Sequence, residues 1–127
     1  MSRDVVTLNQ NDKLLVADDV MKLGRIRHIP IVDDDDSLVG IVSQRDLFLS
    51  GLVKALGYGS VDQRRALDSV LIKESMKSDV VQVAPSTPLC DAARTMMEKK
   101  IGCVVAVENG KIAGILTEGD FVALALR

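Results

Sequence analysis

The chain has 127 residues and is 47% hydrophobic, 27% charged and only 2% aromatic, with a formal net charge of −2. That length suits one compact domain and that balance a globular one, which excludes a disordered chain and a protein that holds nucleic acid by a strong positive field or by aromatic stacking. No apolar run approaches the roughly 18 residues of a membrane span, and the opening "MSRDVVTLNQ" has no signal segment, so a cytoplasmic location is expected.

In chain order, a short β run is expected at Val5–Leu8, then a helix capped by Asp12 with an apolar stripe through Leu14, Ala17, Val20 and Met21. Two strands follow, "HIPIV" and "SLVGIVS", joined by a turn at "DDDD". This acidic run lacks the alternating spacing, the glycine and the terminal Glu of a calcium loop, so a solvated turn is expected. A closing helix begins near Gln44. Residues 51–74 read as a helical connector, broken at Gly57 and Gly59 before a second amphipathic helix over about 62–74.

The same order then returns. A β run at Val80–Val83 leads to a helix capped by Thr87, with Pro88 at its first position and a stripe of Leu89, Ala92, Ala93 and Met96. "CVVAV" and "KIAGILT" form the next hairpin around Asn109–Gly110, the strongest turn signal in the chain, and a closing helix starts near Glu118. Laid over one another, the copies match Asp4 with Asp79, Val5 with Val80, Leu14 with Leu89, Met21 with Met96 and Ile26 with Ile101. After one residue is dropped in the "DDDD" turn, Gly40 matches Gly114, Ser43 matches Thr117 and Asp46 matches Asp120. The chain is therefore read as an α+β tandem repeat, β–α–β–β–α twice: a first repeat over 1–50, the connector over 51–74 and a second repeat over 75–127.

Each repeat ends a strand on a hydroxyl and places a carboxylate three residues later: Ser43 with Asp46, and Thr117 with Asp120. This spacing is a variant of the capping box, and capping alone accounts for it. The same corner also suits a ligand. A helix N-terminus presents free N–H groups, and the adjacent carboxylate, an acceptor-only group, suits a vicinal diol such as that of a ribose. Arg25, Arg27, His28 and Arg45 are the nearby cations that a phosphate would need, and each also reads as a solvated surface charge. His28, the single histidine, has no partner at metal-ligand spacing, so no metal is expected. Cys90 and Cys103 have no CxxC spacing and read as buried thiols rather than a disulfide. No phosphate loop, nucleophile elbow or Ser/His/Asp set can be assembled, so the chain does not read as an enzyme.

The repeat, with "HIPIVDDDDSLVGIVSQRD" and "VENGKIAGILTEGD", resembles the CBS-domain family, named after cystathionine β-synthase, whose tandem pairs are called Bateman modules. The resemblance covers everything but the connector. It implies two repeats packed sheet against sheet about a pseudo-twofold axis, a homodimer, and clefts that take AMP, ADP, ATP or S-adenosylmethionine as ligand, with no cofactor required. It also implies that one cleft joins Thr117 and Asp120 to Val6 and the Ile26–Arg27–His28 edge. The other joins Ser43, Asp46 and Arg45 to Val81 and Ile101–Gly102–Cys103. The first is favoured, because Arg27 and His28 bring charge that Gly102 and Cys103 cannot.

The chain departs from the family pattern in two ways: the second copy has Val105 where the first has Pro30, and Ser2 and Lys77 stand where a Thr is usual. The family's lead-in strand before Met1 is missing, which implies a piece of a longer protein. The expected function is an adenosyl-ligand sensor that regulates an unknown partner protein, with no membrane. The alternative is a dimerisation module with empty clefts. A third reading, nucleic-acid binding through Arg25, Arg27, Arg64 and Arg65, is disfavoured by the net charge.

Overall fold

The computed structural model describes residues 5–57 and 63–125, and Gly59, one of the two expected connector breaks, lies outside them. Two compact units divide the chain, Val6–Asp79 and the residues from Val80 on. In the first unit the order is β1 (Leu8–Asn9), α1 (Leu14–Gly24), β2 (His28–Val32), β3 (Leu38–Ser43), α2 (Gln44–Gly57) and α3 (Gln63–Leu67), followed by a 3-10 turn at Ile72–Glu74. In the second it is β4 (Gln82–Val83), α4 (Leu89–Lys99), β5 (Cys103–Glu108), β6 (Lys111–Thr117) and α5 (Glu118–Ala125). Each unit has a three-stranded sheet, β1-β2-β3 or β4-β5-β6, in which a short parallel strand flanks an antiparallel hairpin. The expected β–α–β–β–α order is present twice.

The hairpins repeat one another down to their irregularity. Ile31 pairs with Gly40 and Val32 with Leu38, so Val39 bulges; Ala106 pairs with Gly114 and Val107 with Ile112, so Ala113 bulges. Asn109 and Gly110 both take positive φ, 54° and 79°, the two-residue turn that matches the strand twist. The first hairpin instead turns through the acidic run, where the Asp33 carboxylate accepts the N–H groups of Asp35 and Ser37 at 2.9 and 3.0 Å.

Both crossover helices end on the same device. Arg25 and Lys100 adopt left-handed conformation, each with φ of 53°, and the following Ile26 and Ile101 N–H groups bond back to Met21 and Met96 at 3.2 and 3.1 Å. This is a Schellman closure, with its hydrophobic contact supplied by Ile26 and Ile101, which pack against the cores holding Met21 and Met96.

Several expectations are corrected. The first β run is two residues, Leu8–Asn9, rather than Val5–Leu8, because Val6 and Thr7 are exposed and only Leu8 and Asn9 pair with β2. Asp12 and Thr87 do not cap α1 and α4. The N-cap positions lie one residue later, at Lys13 and Pro88, and the Asp12 and Thr87 side chains instead accept the N–H groups of Asn9 and Ala84, both at 3.1 Å. Pro88 is therefore the cap residue and not the first helical one. Leu89 leaves the expected stripe and is exposed, while Ala92 and Met96 carry the buried face.

The connector helix stops at Leu67. The Ser69 hydroxyl bonds to the Ala66 carbonyl at 2.6 Å, and Leu71 is extended and bridges to Lys13. Its buried residues, Ala66, Leu67, Val70 and Ile72, follow that broken path instead of a helical period.

Within Val6–Asp79 the connector is part of the core. Leu14, Ile29, Ile31 and Ile72 are fully buried and cluster with Val42, Leu47, Leu67 and Val70. Arg64 reaches from α3 to Asp19 at 2.9 Å and Asp18 at 3.8 Å on α1, and its hydrogen bond holds the Asp19 carboxyl below the ordinary carboxylate range. Residues 76–77 extend the sheet, because Ile41 and Lys77 exchange both backbone bonds at 2.9 Å. The second unit has a smaller core of Ala92, Met96, Val104 and Leu116, with Val81, Val83, Ile101 and Phe121 packed against it.

Candidate functional site

Each unit presents one corner where the hairpin's last strand becomes the closing helix. Ser43 ends β3 and is the residue before α2; Thr117 ends β6 and is the residue before α5. A β strand can run directly into a helix here because the hydroxyl residue still belongs to the ladder, pairing with His28 in one unit and Cys103 in the other.

The carboxylates turn back on that junction. Asp46 Oδ2 accepts the Ser43 N–H and the Ser43 hydroxyl, both at 2.8 Å, and the Asp46 N–H donates to Ser43 Oγ at 3.2 Å. Asp120 Oδ2 accepts the Thr117 N–H at 2.8 Å and its hydroxyl at 3.3 Å. The capping box is thus complete at Ser43, and at Thr117 its carboxylate half is formed; in both copies it places the negative charge where the helix dipole favours it. In both, the cap uses a single carboxylate oxygen. Oδ1 of Asp46 and of Asp120 has no hydrogen-bond partner among the described residues, and both side chains are half-buried rather than solvated on every side. An anionic oxygen held in place by a cap is an acceptor ready for a hydroxyl donor.

A second tie completes each corner, and the sequence alone did not reveal it. The first helical N–H of α2, on Gln44, donates to the Arg27 carbonyl at 2.8 Å; that of α5, on Glu118, donates to the Gly102 carbonyl at 3.2 Å. The residue preceding the hairpin is thereby fastened to the helix start. The bonds follow from the hairpin register, which sets His28 opposite Ser43 and Cys103 opposite Thr117.

The expected site residues fall into two groups on this frame. In Val6–Asp79 the structure brings Arg27 and His28 beside Ser43 and Asp46, with Arg45 in the first turn of α2; Ile26 is the half-buried Schellman residue and Val6 is exposed. From Val80 on, it brings Gly102 and Cys103 beside Thr117 and Asp120, with Ile101 and Val81 half-buried against the core.

Cys103 is buried, and loss of solvation pushes its thiol up to about 12, whereas Cys90 is exposed, against the expectation of two buried thiols. Cys90 sits in the first turn of α4 on the exposed side of the Ala92–Met96 stripe. At pH 8 a thiol reagent should therefore label one cysteine of the folded protein rapidly and the second only on unfolding. Fast labelling of both in the folded protein would contradict the burial of Cys103.

Comparison with known proteins fits this geometry. The family model described as "CBS domain" matches residues 1–51 and 71–127. A Vibrio cholerae protein named for acetoin utilization, AcuB, has a crystal structure 36% identical in sequence, with a TM-score of 0.83 over 99% of this chain and 86% of that one. The CBS domain pair of protein MJ0100, solved with 5′-methylthioadenosine and S-adenosyl-L-methionine, is 26% identical, with a TM-score of 0.78 over 98% of this chain and 90% of that one. CBSX2, solved with AMP, is 26% identical, with a TM-score of 0.79 over 99% and 92%. Among curated sequences, protein MJ1225 of Methanocaldococcus jannaschii is 27% identical over 98% of this chain, which spans only 40% of that protein's length. With the repeated fold and two matched segments in one sequence, the chain belongs to the CBS-domain family, as a tandem pair.

Proposed function

We propose that the chain is a regulatory module that binds an adenosyl ligand, AMP, ADP, ATP or S-adenosylmethionine, and passes the binding event to a partner protein. The observation that carries this reading is the pair of capped carboxylates, each with Oδ1 left as an acceptor. A ribose diol supplies the donors that such an oxygen takes. The half-buried Ile26, Val81 and Ile101 and the exposed Val6 offer apolar surface for an adenine ring. Relatives solved with AMP and with S-adenosyl-L-methionine support the ligand class. A signal then arises from the ligand's preference for one arrangement of the protein over another. A non-enzymatic role and a cytoplasmic location go with this reading.

The test is thermal unfolding with each adenosyl compound. A ligand at a hundredfold excess over Kd stabilises the folded state by about 2.7 kcal/mol, which raises the midpoint by roughly five degrees or more for a domain of this size. Replacing Asp46 and Asp120 together by Ala should abolish that shift. The lost caps should also lower the ligand-free stability, by about 1 kcal/mol each. A shift that survives in the double variant would remove both carboxylates from the ligand's contacts.

A second reading, a homodimerisation module, is favoured by Phe48 and Leu49 on α2 and Val122 and Leu124 on α5, which are 48–60% exposed. Large apolar side chains exposed on one helix commonly mark an interaction surface. Under this reading sedimentation gives twice the monomer mass, and no adenosyl compound moves the midpoint.

A further inference from the structure

The two corners share a backbone and differ in charge. At the first, Arg27 precedes the hairpin and donates its carbonyl to the helix tie, and Arg45 occupies the first turn of α2. Lys77 pairs with Ile41 on the outer edge of β3, two residues before Ser43. All three cations are exposed, and none is in an ion pair among the described residues. The one acid in the first turn of α2 is Asp46. At the second corner the matching positions are Gly102 for Arg27 and Gly119 for Arg45. Glu118 replaces Gln44, so that corner has two carboxylates, Glu118 and Asp120, in the first turn of α5.

From this difference we infer that the Ser43–Asp46 corner takes the phosphate-bearing adenosine ligand and that the Thr117–Asp120 corner takes an adenosyl compound without phosphate, neutral or sulfonium-bearing. The inference rests on the adenosyl reading above and adds Arg27 to the Asp46 corner, where its carbonyl is tied to the start of α2. The physical basis is direct. A ribose demands the same acceptor in both corners and both provide it. A phosphate carries up to two negative charges a few ångströms farther along the ligand. Within about one Debye length, roughly 8 Å at physiological salt, a phosphate at the first corner is attracted by Arg27, Arg45 and Lys77, and one at the second corner is repelled by Glu118. Guanidinium groups suit phosphate oxygens because their donors lie in a fixed planar fork. A sulfonium reverses the preference, because its positive charge is favoured beside Glu118.

Calorimetric titration with AMP and with 5′-methylthioadenosine separates the possibilities, using the intact chain, Asp46→Asn, Asp120→Asn and the double variant Arg27→Gln/Arg45→Gln, each checked for native circular dichroism. Asp46→Asn and the arginine variant should each weaken AMP by about tenfold, the loss expected when a charge-assisted contact is removed. Asp120→Asn should weaken 5′-methylthioadenosine by a similar factor. AMP affinity should also fall with added salt more steeply than that of the uncharged compound. AMP binding that follows Asp120 and ignores Arg27 and Arg45 overturns this inference and leaves the adenosyl reading standing. Binding of neither compound to the intact chain overturns both.

Discussion

Leu14→Ala should destabilise the unit Val6–Asp79 by about 2–5 kcal/mol, the range for truncating a fully buried leucine whose surroundings cannot collapse into the space. Leu14 has no exposed surface and lies in a cluster drawn from every part of that unit: Ala17 and Met21 on its own helix, Ile29, Ile31 and Val42 on the sheet, Leu47 on α2, and Leu67, Val70 and Ile72 in the connector. Its N–H donates to the Val70 carbonyl at 2.8 Å, a bond the alanine keeps, so the loss is one of packing. For a protein whose total stability is on the order of 5–15 kcal/mol, this is a large share, and the midpoint should fall by roughly 8–20 degrees. Leu23→Ala, at a residue 87% exposed on the same helix, should stay within about 0.5 kcal/mol of the parent. Equal losses in the two variants would mean that Leu14 is not the centre of the core.

Gly40→Ala should cost about 1–3 kcal/mol by the opposite mechanism, overpacking. A Cβ at Gly40 would stand 2.5 Å from the Met76 sulfur, 2.9 Å from Met76 Cγ and 2.9 Å from the Lys77 carbonyl oxygen. The methionine can swing aside, but the Lys77 carbonyl cannot retreat without breaking its 2.9 Å bond from the Ile41 N–H. Urea denaturation of Gly40→Ala, Met76→Ala and the double variant separates the two neighbours. Met76→Ala should recover part of the loss and the backbone clash should keep the remainder. A double variant as stable as Met76→Ala alone would show that the segment moves freely and that residues 76–77 are not fastened to β3.

The two buried hairpins were legible in the sequence because their apolar and β-branched runs are short and bounded by unmistakable turns, "NG" above all, and because the second copy repeated the first. The repeat also made the two S/T-x-x-D corners visible. What stayed hidden depended on the choice among local hydrogen bonds. Asp12 and Thr87 have the right chemistry to cap a helix, and the same chemistry let them close the preceding turn on Asn9 and Ala84. Ser69 could have continued a helix, and its hydroxyl ended one. Leu89 fits a helical period, yet the buried face begins at Ala92.

In the site, the carboxylates and hydroxyls could be named from spacing. The placing of Arg27 beside Ser43 could not, because it depends on a strand register that a single bulge sets.

The tie between helix start and hairpin entry has a consequence for how such a repeat can change. It is made by the carbonyl of Arg27 in one copy and of Gly102 in the other, and neither side chain takes part. Any residue keeps the corner in shape through its carbonyl, so a long cationic side chain and a glycine stand at matching positions without moving the carboxylate three residues into the helix. After a duplication, such a position is free to vary while the architecture stays constant. A pair of twin domains can thus diverge into two different sensors through a handful of surface substitutions, with no repacking of either core.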